Sequence, residues 1–269
     1  MPHKRPKTSW NKVAGWYDKH VGDKGSDFHQ QIVIPGAIKL LAPQSGEKIL
    51  DVACGQGVFC RQLAELGVET YGCDLSKRLI DLAKQHSKNI NYSVDDATTL
   101  SSFQAETFDA ASCHLAIQNI DPLDQVIAAI CRVLKKGGRF LIVMNHPCFR
   151  IPRQSGWGTD EQRKLQYRRV DSYLTELKIP IKMHPGAAPD IHTWSFHRPL
   201  TRYFEELHKN GFAVTQLEEW ASHRTSRPGK NSRQENRARD EIPMFLAMLA
   251  EKRPAQVALS RPQRILQGI

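Results

Sequence analysis

An α/β layered domain, with a mostly parallel sheet covered by helices on both faces, is the fold this sequence predicts. Three observations predict it. From Glu47 to about Met144 short β-rich runs alternate with amphipathic helical runs. A glycine-rich turn, Gly55-Gln-Gly57, follows the first of those runs directly. The run Phe140-Leu-Ile-Val-Met144 is continuously apolar, as expected of a strand buried on both faces and far short of a membrane span.

The elements follow in order. Lys48-Ile-Leu-Asp-Val-Ala53 reads as a doubly buried strand, then a helix carries Phe59, Leu63 and Leu66 on one face and closes at Gly67. Glu69–Cys73 is a second strand, and a helix from about Ser76 carries Leu79, Leu82 and Ala83. Asn91–Val94 and Phe108–Cys113 are strands three and four. Asp121-Pro122 predicts a capped helix start, with Val126, Ile130 and Val133 at helical spacing and a stop at Gly137-Gly138. Arg139–Asn145 is strand five. Residues 146–198 lose this periodicity and gather Pro, Gly, His, Trp and Tyr, which predicts a functional insertion or lid rather than core. Pro199 opens a helix ending at Asn210-Gly211, Phe212–Leu217 is a strand, 221–239 a basic loop, and Ile242–Leu249 either strand or helix. The division expected is an N-terminal helical cap over 1–46, a core over 47–145, the insertion over 146–198, a return to the core sheet over 199–252 and a flexible tail over 253–269.

Composition excludes several classes. No apolar run reaches membrane-spanning length, and the basic N-terminus lacks a signal-peptide stretch, so a cytoplasmic protein is expected. The six cysteines form no Cys-x-x-Cys pair and read as buried thiols rather than a zinc ribbon or disulfide framework. His184, His192 and His197 with Asp190 match no zinc spacing, so no metal is expected. The net charge of +10 is concentrated in residues 1–12 and 221–239 and raises the question of an anionic partner.

Chemistry centres on Asp51-Val-Ala-Cys-Gly-Gln-Gly57, where backbone must approach a ligand closely. Neither the dinucleotide fingerprint nor the phosphate loop is met, since Cys60 stands where the third glycine belongs. Asp51 would repel a pyrophosphate but suit an amino group. Asp74, ending strand two, suits two ribose hydroxyls, and Asp95-Asp96-Ala97 ends strand three on the same edge. The ligand described is an adenosine bearing an amino acid and no phosphate.

Here the chain resembles the class I S-adenosylmethionine-dependent methyltransferases, and within them the ubiquinone and menaquinone biosynthesis group. Ile49–Gly57 is similar to the first motif, with Ala53 replacing the usual first glycine. Asp74 with Leu75 matches the ribose-binding acid, and Asp96-Ala97 the adenine-contacting pair. Phe108–Asp121 resembles the fourth motif and Arg132–Phe140 the turn before strand five. The likeness covers roughly residues 47–145, with weaker echoes at 10–18 and 242–252. It implies a Rossmann-like, mostly parallel seven-stranded sheet with an N-terminal cap and an insertion after strand five. It also implies S-adenosylmethionine as cofactor, held by Asp51, Ala53, Gly55, Gly57, Asp74, Leu75, Asp96, Ala97, His114 and Leu115.

Methyl transfer from a sulfonium asks mainly for alignment and sometimes for a base. Asn145–Arg150 leaves strand five at the active edge, so His146 is a candidate base and Arg150 a candidate anion clamp. His197 is a second candidate base. Tyr17, on a short helix around Trp10–Asp18, is a candidate for lining the reaction pocket. Residues 146–198 with that helix are expected to form the acceptor pocket, Trp194 and other aromatics (Phe149, Trp157, Tyr167, Tyr173, Phe196) supplying its walls. A small-molecule acceptor is favoured. A nucleic-acid methyltransferase is the alternative raised by the charge, although no Asn/Asp-Pro-Pro-Tyr/Phe motif follows strand four and no RNA-binding appendage is visible. A non-catalytic binder of the cofactor is the third class. The sequence leaves the acceptor, the methylated atom and the oligomeric state open.

Overall fold

Seven strands assemble in the order β10-β11-β5-β4-β1-β2-β3, and only β11 runs antiparallel to its neighbours. The computed structural model describes residues 10–182 and 192–253. Helix α1 (Trp10–Val21) is followed by a π-helical turn at His29–Val33 running into α2 (Ile34–Leu41). The first half of the sheet then alternates β1 (Lys48–Val52), α3 (Val58–Glu65), β2 (Glu69–Asp74), α4 (Lys77–His86), β3 (Asn91–Val94) and β4 (Phe108–His114). Helix α5 (Leu123–Val133) leads to β5 (Leu134–Asn145). The last part holds β6 (Ser155–Asp160), β7 (Leu165–Val170), β8 (Leu177–Lys182), β9 (His192–His197), α6 (Leu200–Lys209), β10 (Phe212–Trp220), α7 (Ser232–Glu241) and β11 (Phe245–Lys252).

Strand alternation sorts the core into two layers. On one face Phe140, Ile142 and Met144 of β5 meet Val126, Ile127 and Ile130 of α5 and Tyr203 and Leu207 of α6. On the other, Leu141 and Val143 meet Ile34, Ala37 and Leu41 of α2 with Phe59 and Leu63 of α3. Neighbours on β5 thus serve opposite layers, which is why that strand reads as an unbroken apolar run. The helix expected from Ser76 starts there because Ser76 Oγ accepts from the Leu79 amide.

Several expectations are corrected. Helix α5 ends at Val133, not at the glycine pair; Gly137, at φ 73°, turns the chain inside a register irregularity where β5 joins β4. Asp121 does not cap α5 but accepts from Arg198 at 2.7 Å. The insertion, for which no elements were expected, contains two antiparallel hairpins, β6–β7 and β8–β9. The basic stretch is not wholly loop either, because α7 forms within it and packs against β7. The ambiguous last segment is a strand, inserted between β5 and β10. The charges of residues 4–7, His184, Asp190 and the tail beyond residue 253 lie outside the described residues. No helix of the described residues is long and apolar enough to cross a membrane.

Candidate active site

The turn after β1 is built from three left-handed residues, Ala53 (φ 58°), Gly55 (φ 58°) and Gly57 (φ 81°). Only Gly55 and Gly57 take that conformation without a side-chain penalty, so Ala53 carries local strain. Two carboxylates frame the turn. Asp74 accepts from the Gly55 amide at 3.0 Å through Oδ2 and from the Ser76 amide at 2.8 Å through Oδ1, tying β2 to the turn. Asp51 is buried, with Ser112 Oγ at 3.0 Å and Cys60 Sγ at 3.6 Å as donors.

No cation partners either acid among the described residues. Burial therefore pushes Asp51 up to about 7, against the opposing pull of its Ser112 and Cys60 hydrogen bonds. Burial likewise raises Asp74 to about 6, with the Ser76 and Gly55 amides opposing. A ligand bringing a positive group to Asp51 and hydroxyls to Asp74 would satisfy what the protein leaves unsatisfied. A Cβ placed on Gly55 would meet only the Tyr17 ring, 3.4 Å away. The space before that glycine is bounded by a movable side chain rather than by backbone.

Helix α1 covers the turn. Asn11 Oδ1 accepts from Ser76 Oγ at 2.8 Å and from the Arg78 amide at 3.2 Å, while His86 lies 2.8 Å from Asp18 and 3.0 Å from Asp23. The Tyr17 hydroxyl is enclosed there, raised to about 12 by burial and then by Asp74 and Asp51. At the end of β3, Asp95 is buried and accepts from the Asp96, Ser101 and Ser102 amides, holding the loop. Asp96 uses Oδ1 on Thr98, leaving Oδ2 without a protein donor among the described residues. Ala97 is buried beside it. His114 ends β4 with its ring 4.0 Å from that of Phe59 and both nitrogens buried without partners. Burial, and secondarily His29, pushes it down to about 3, so it is neutral. Leu115 follows in the left-handed region, at φ 52°.

Residues 50–142 match the methyltransferase domain family. Over those residues the chain is similar to a methyltransferase domain. Over 106 residues the chain is 32% identical to a ubiquinone biosynthesis O-methyltransferase of Xanthomonas oryzae pv. oryzae, covering 38% of this chain and 44% of that protein. A demethylmenaquinone methyltransferase of Paenarthrobacter aurescens is 32% identical over 103 residues, covering 38% and 40%. The chain spans less than half the length of these curated relatives. A solved S-adenosylmethionine-dependent methyltransferase from Mesorhizobium loti superposes with a TM-score of 0.64 at 26% identity, covering 80% of this chain and 96% of that one.

Beyond the glycine turn, the candidate acceptor residues fall into different places. His146 is buried, with Nε2 donating to Glu219 at 2.6 Å and Nδ1 accepting from the Cys148 amide at 3.2 Å. Both ring nitrogens are thus used in joining the insertion to β10, and neither is open to a substrate proton. His197 donates Nε2–H to the Tyr173 carbonyl at 2.7 Å, which leaves Nδ1 with the lone pair. It lines a cavity of about 90 Å³ with Gln118, Asn145, Arg150, Arg198 and Tyr203. Trp194 does not line it. On β9, Thr193, Ser195 and His197 point inward, so Trp194 faces out, 36% exposed, with Lys178 Nζ 4.5 Å above its ring. Trp157 and Tyr167 are similarly exposed, whereas Phe149 and Tyr173 are half-buried and Phe196 is half-buried in the cavity wall, so half of the aromatics expected as walls lie at the surface. Arg198 and Glu219 are functional neighbours that the sequence reading missed; strand alternation signals the inward side of β9, but nothing signals the long-range partners.

Proposed function

We propose that the protein transfers a methyl group from S-adenosylmethionine to a small-molecule acceptor by direct displacement. The observation that carries this is the pair of cation-free carboxylates, buried Asp51 and half-buried Asp74, around a turn that leaves space before Gly55. S-adenosylmethionine supplies, when bound, a methyl carbon on a positive sulfur, and the residues of the chain bind and orient. In this reading Asp74, beside Leu75, accepts from the ribose hydroxyls and Asp51 receives the amino group. Asp96 and Ala97 face the adenine, the backbone of Ala53, Gly55 and Gly57 permits close approach, and Tyr17 with α1 excludes water. His114 and Leu115 border the reacting edge. His146 is not the proton acceptor in this reading, because both of its ring nitrogens are spent, and His197 serves the outer acceptor cavity.

Support for a small acceptor comes from the quinone-biosynthesis names of the relatives and from the enclosed scale of that cavity. The test is calorimetry of S-adenosylmethionine on wild type and Asp74→Ala, with S-adenosylhomocysteine release followed over phenolic, quinol, amine and carboxylic acceptors. Loss of affinity in the variant and product with at least one small acceptor are expected. Unchanged affinity would overturn the cofactor placement, and product with RNA alone would overturn the acceptor class. The nucleic-acid reading retains one observation: Arg227, Lys230, Arg233 and Arg237 have no acidic partner among the described residues, whereas Arg224 is tied to Asp27 and Arg239 to Glu235.

A further inference from the structure

The small cavity beside the methyl-transfer edge is unusual in what it leaves unpaired. Its wall holds two guanidinium groups and no acid. Arg198 is 3% exposed. Its Nη2 donates to the Ile120 carbonyl at 3.0 Å and to Asp121 at 2.7 Å, but its Nη1 is buried and makes no hydrogen bond. The Tyr203 hydroxyl lies beside this guanidinium, whose charge opposes the upward push of burial on it, without closing a well-formed bond to Nη1.

Arg150 reaches the same cavity from the other side. Its Nε is also buried without a partner, and it makes no ion pair among the described residues. The Trp157 ring, 5.4 Å from its guanidinium carbon, holds it in place, and Arg168 lies 5.2 Å from the same ring. Arg168 is itself tied down by the Phe149 carbonyl and Ser155 Oγ. Burial, and then Arg168, lowers Arg150 to about 10, so it remains charged at neutral pH. Unbonded buried donors are costly, and both arginines that line this cavity carry one, so the two guanidinium groups suit an acceptor group that settles between them. A guanidinium pair matches a planar carboxylate, which accepts through two oxygens. A volume of about 90 Å³ fits a group of a few heavy atoms rather than a whole ring system. Gln118 adds a second feature: its Nε2 donates to the Leu115 carbonyl and its Oε1 is buried without a donor, ready for a hydroxyl or amino group on the same ligand.

We infer that Arg150 and Arg198 form a carboxylate subsite, and that the methyl acceptor is a small carboxylic acid anchored there by its carboxylate. The inference rests on the methyl-transfer reading above for the word acceptor, but the subsite itself binds without turnover. The test is therefore equilibrium binding in the presence of S-adenosylhomocysteine, by calorimetry and ligand-observed NMR, using benzoate, 2-hydroxybenzoate, benzamide and inorganic phosphate as probes. Benzoate is expected to bind and benzamide not to bind. Affinity for benzoate is expected to fall at least about tenfold in Arg150→Gln and in Arg198→Gln, with charge retained and binding partly rescued in Arg198→Lys. Should Arg198→Gln fail to fold, Arg150→Gln decides alone, since that residue is half-exposed on the insertion.

Equal binding of benzoate and benzamide, or an unchanged benzoate affinity in Arg150→Gln, would overturn the subsite. Phosphate binding without carboxylate binding would overturn the carboxylate assignment. Loss of S-adenosylhomocysteine binding in the wild type, with benzoate still bound, would overturn the methyl-transfer reading and leave the subsite standing.

Discussion

Asp51→Asn is expected to stabilise the cofactor-free protein in alkali while changing it little in acid. Asp51 is 2% exposed and has Ser112 and Cys60 as its donors. Burial holds its carboxyl near about 7 in the folded chain, against about 3.9 when unfolded. The folded protein therefore binds the extra proton between these values. Stability contributed by this group is full in acid and is lost as pH rises through about 7. Integrating from about pH 5 to about pH 8, at about 1.4 kcal/mol per pH unit, gives a loss of about 2.6 kcal/mol in the wild type alone. With an unfolding entropy of about 2.1 cal/mol/K per residue, that corresponds to about 5 °C in Tm for a chain of this size. An amide does not titrate, and its oxygen can still accept from Ser112. Urea unfolding of wild type and variant at the two pH values measures the difference directly. A stability difference that stays constant between them would refute the buried, cation-free carboxylate. Saturating S-adenosylmethionine should restore the wild type at the higher pH and not the variant.

Four further outcomes follow from the same geometry. Asp74→Ala should weaken S-adenosylmethionine binding by about 1.5–3 kcal/mol in calorimetry, because hydrogen bonds to a charged acceptor are lost. Gly57→Ala places a Cβ against the Tyr92 hydroxyl at φ 81°, and urea unfolding should show a loss of about 1–3 kcal/mol. Ala53→Gly removes a left-handed alanine at φ 58°; the relief of about 1 kcal/mol is offset by a freer unfolded chain, so its stability should lie within about 0.5 kcal/mol of wild type. His146→Ala should cost about 1–3 kcal/mol by leaving the Cys148 amide and Glu219 without their partner, while S-adenosylmethionine affinity stays the same.

The sequence by itself determined the layered core. Doubly apolar β5, the Ser76 cap and the glycine turn are local signals, and each is read from residues within one element or one turn. Asp51 and Asp74 were legible as strand-end acids for the same reason. Only the tertiary structure decided which polar groups are spent and which are left over. His146 stands at the active edge in sequence, yet Glu219, far along the chain on β10, takes its Nε2. Arg198 ends the insertion in sequence, yet Asp121 and the Ile120 carbonyl orient its guanidinium from the β4–α5 connection. The β6–β7 hairpin escaped the sequence reading because its short strands lack apolar alternation, whereas β8 does alternate Leu177, Ile179 and Ile181, a signal interrupted by Pro180. Periodicity reports burial against a neighbouring layer, whereas a site is made of side chains whose partners arrive from distant segments, and those partnerships exist only once the chain has folded.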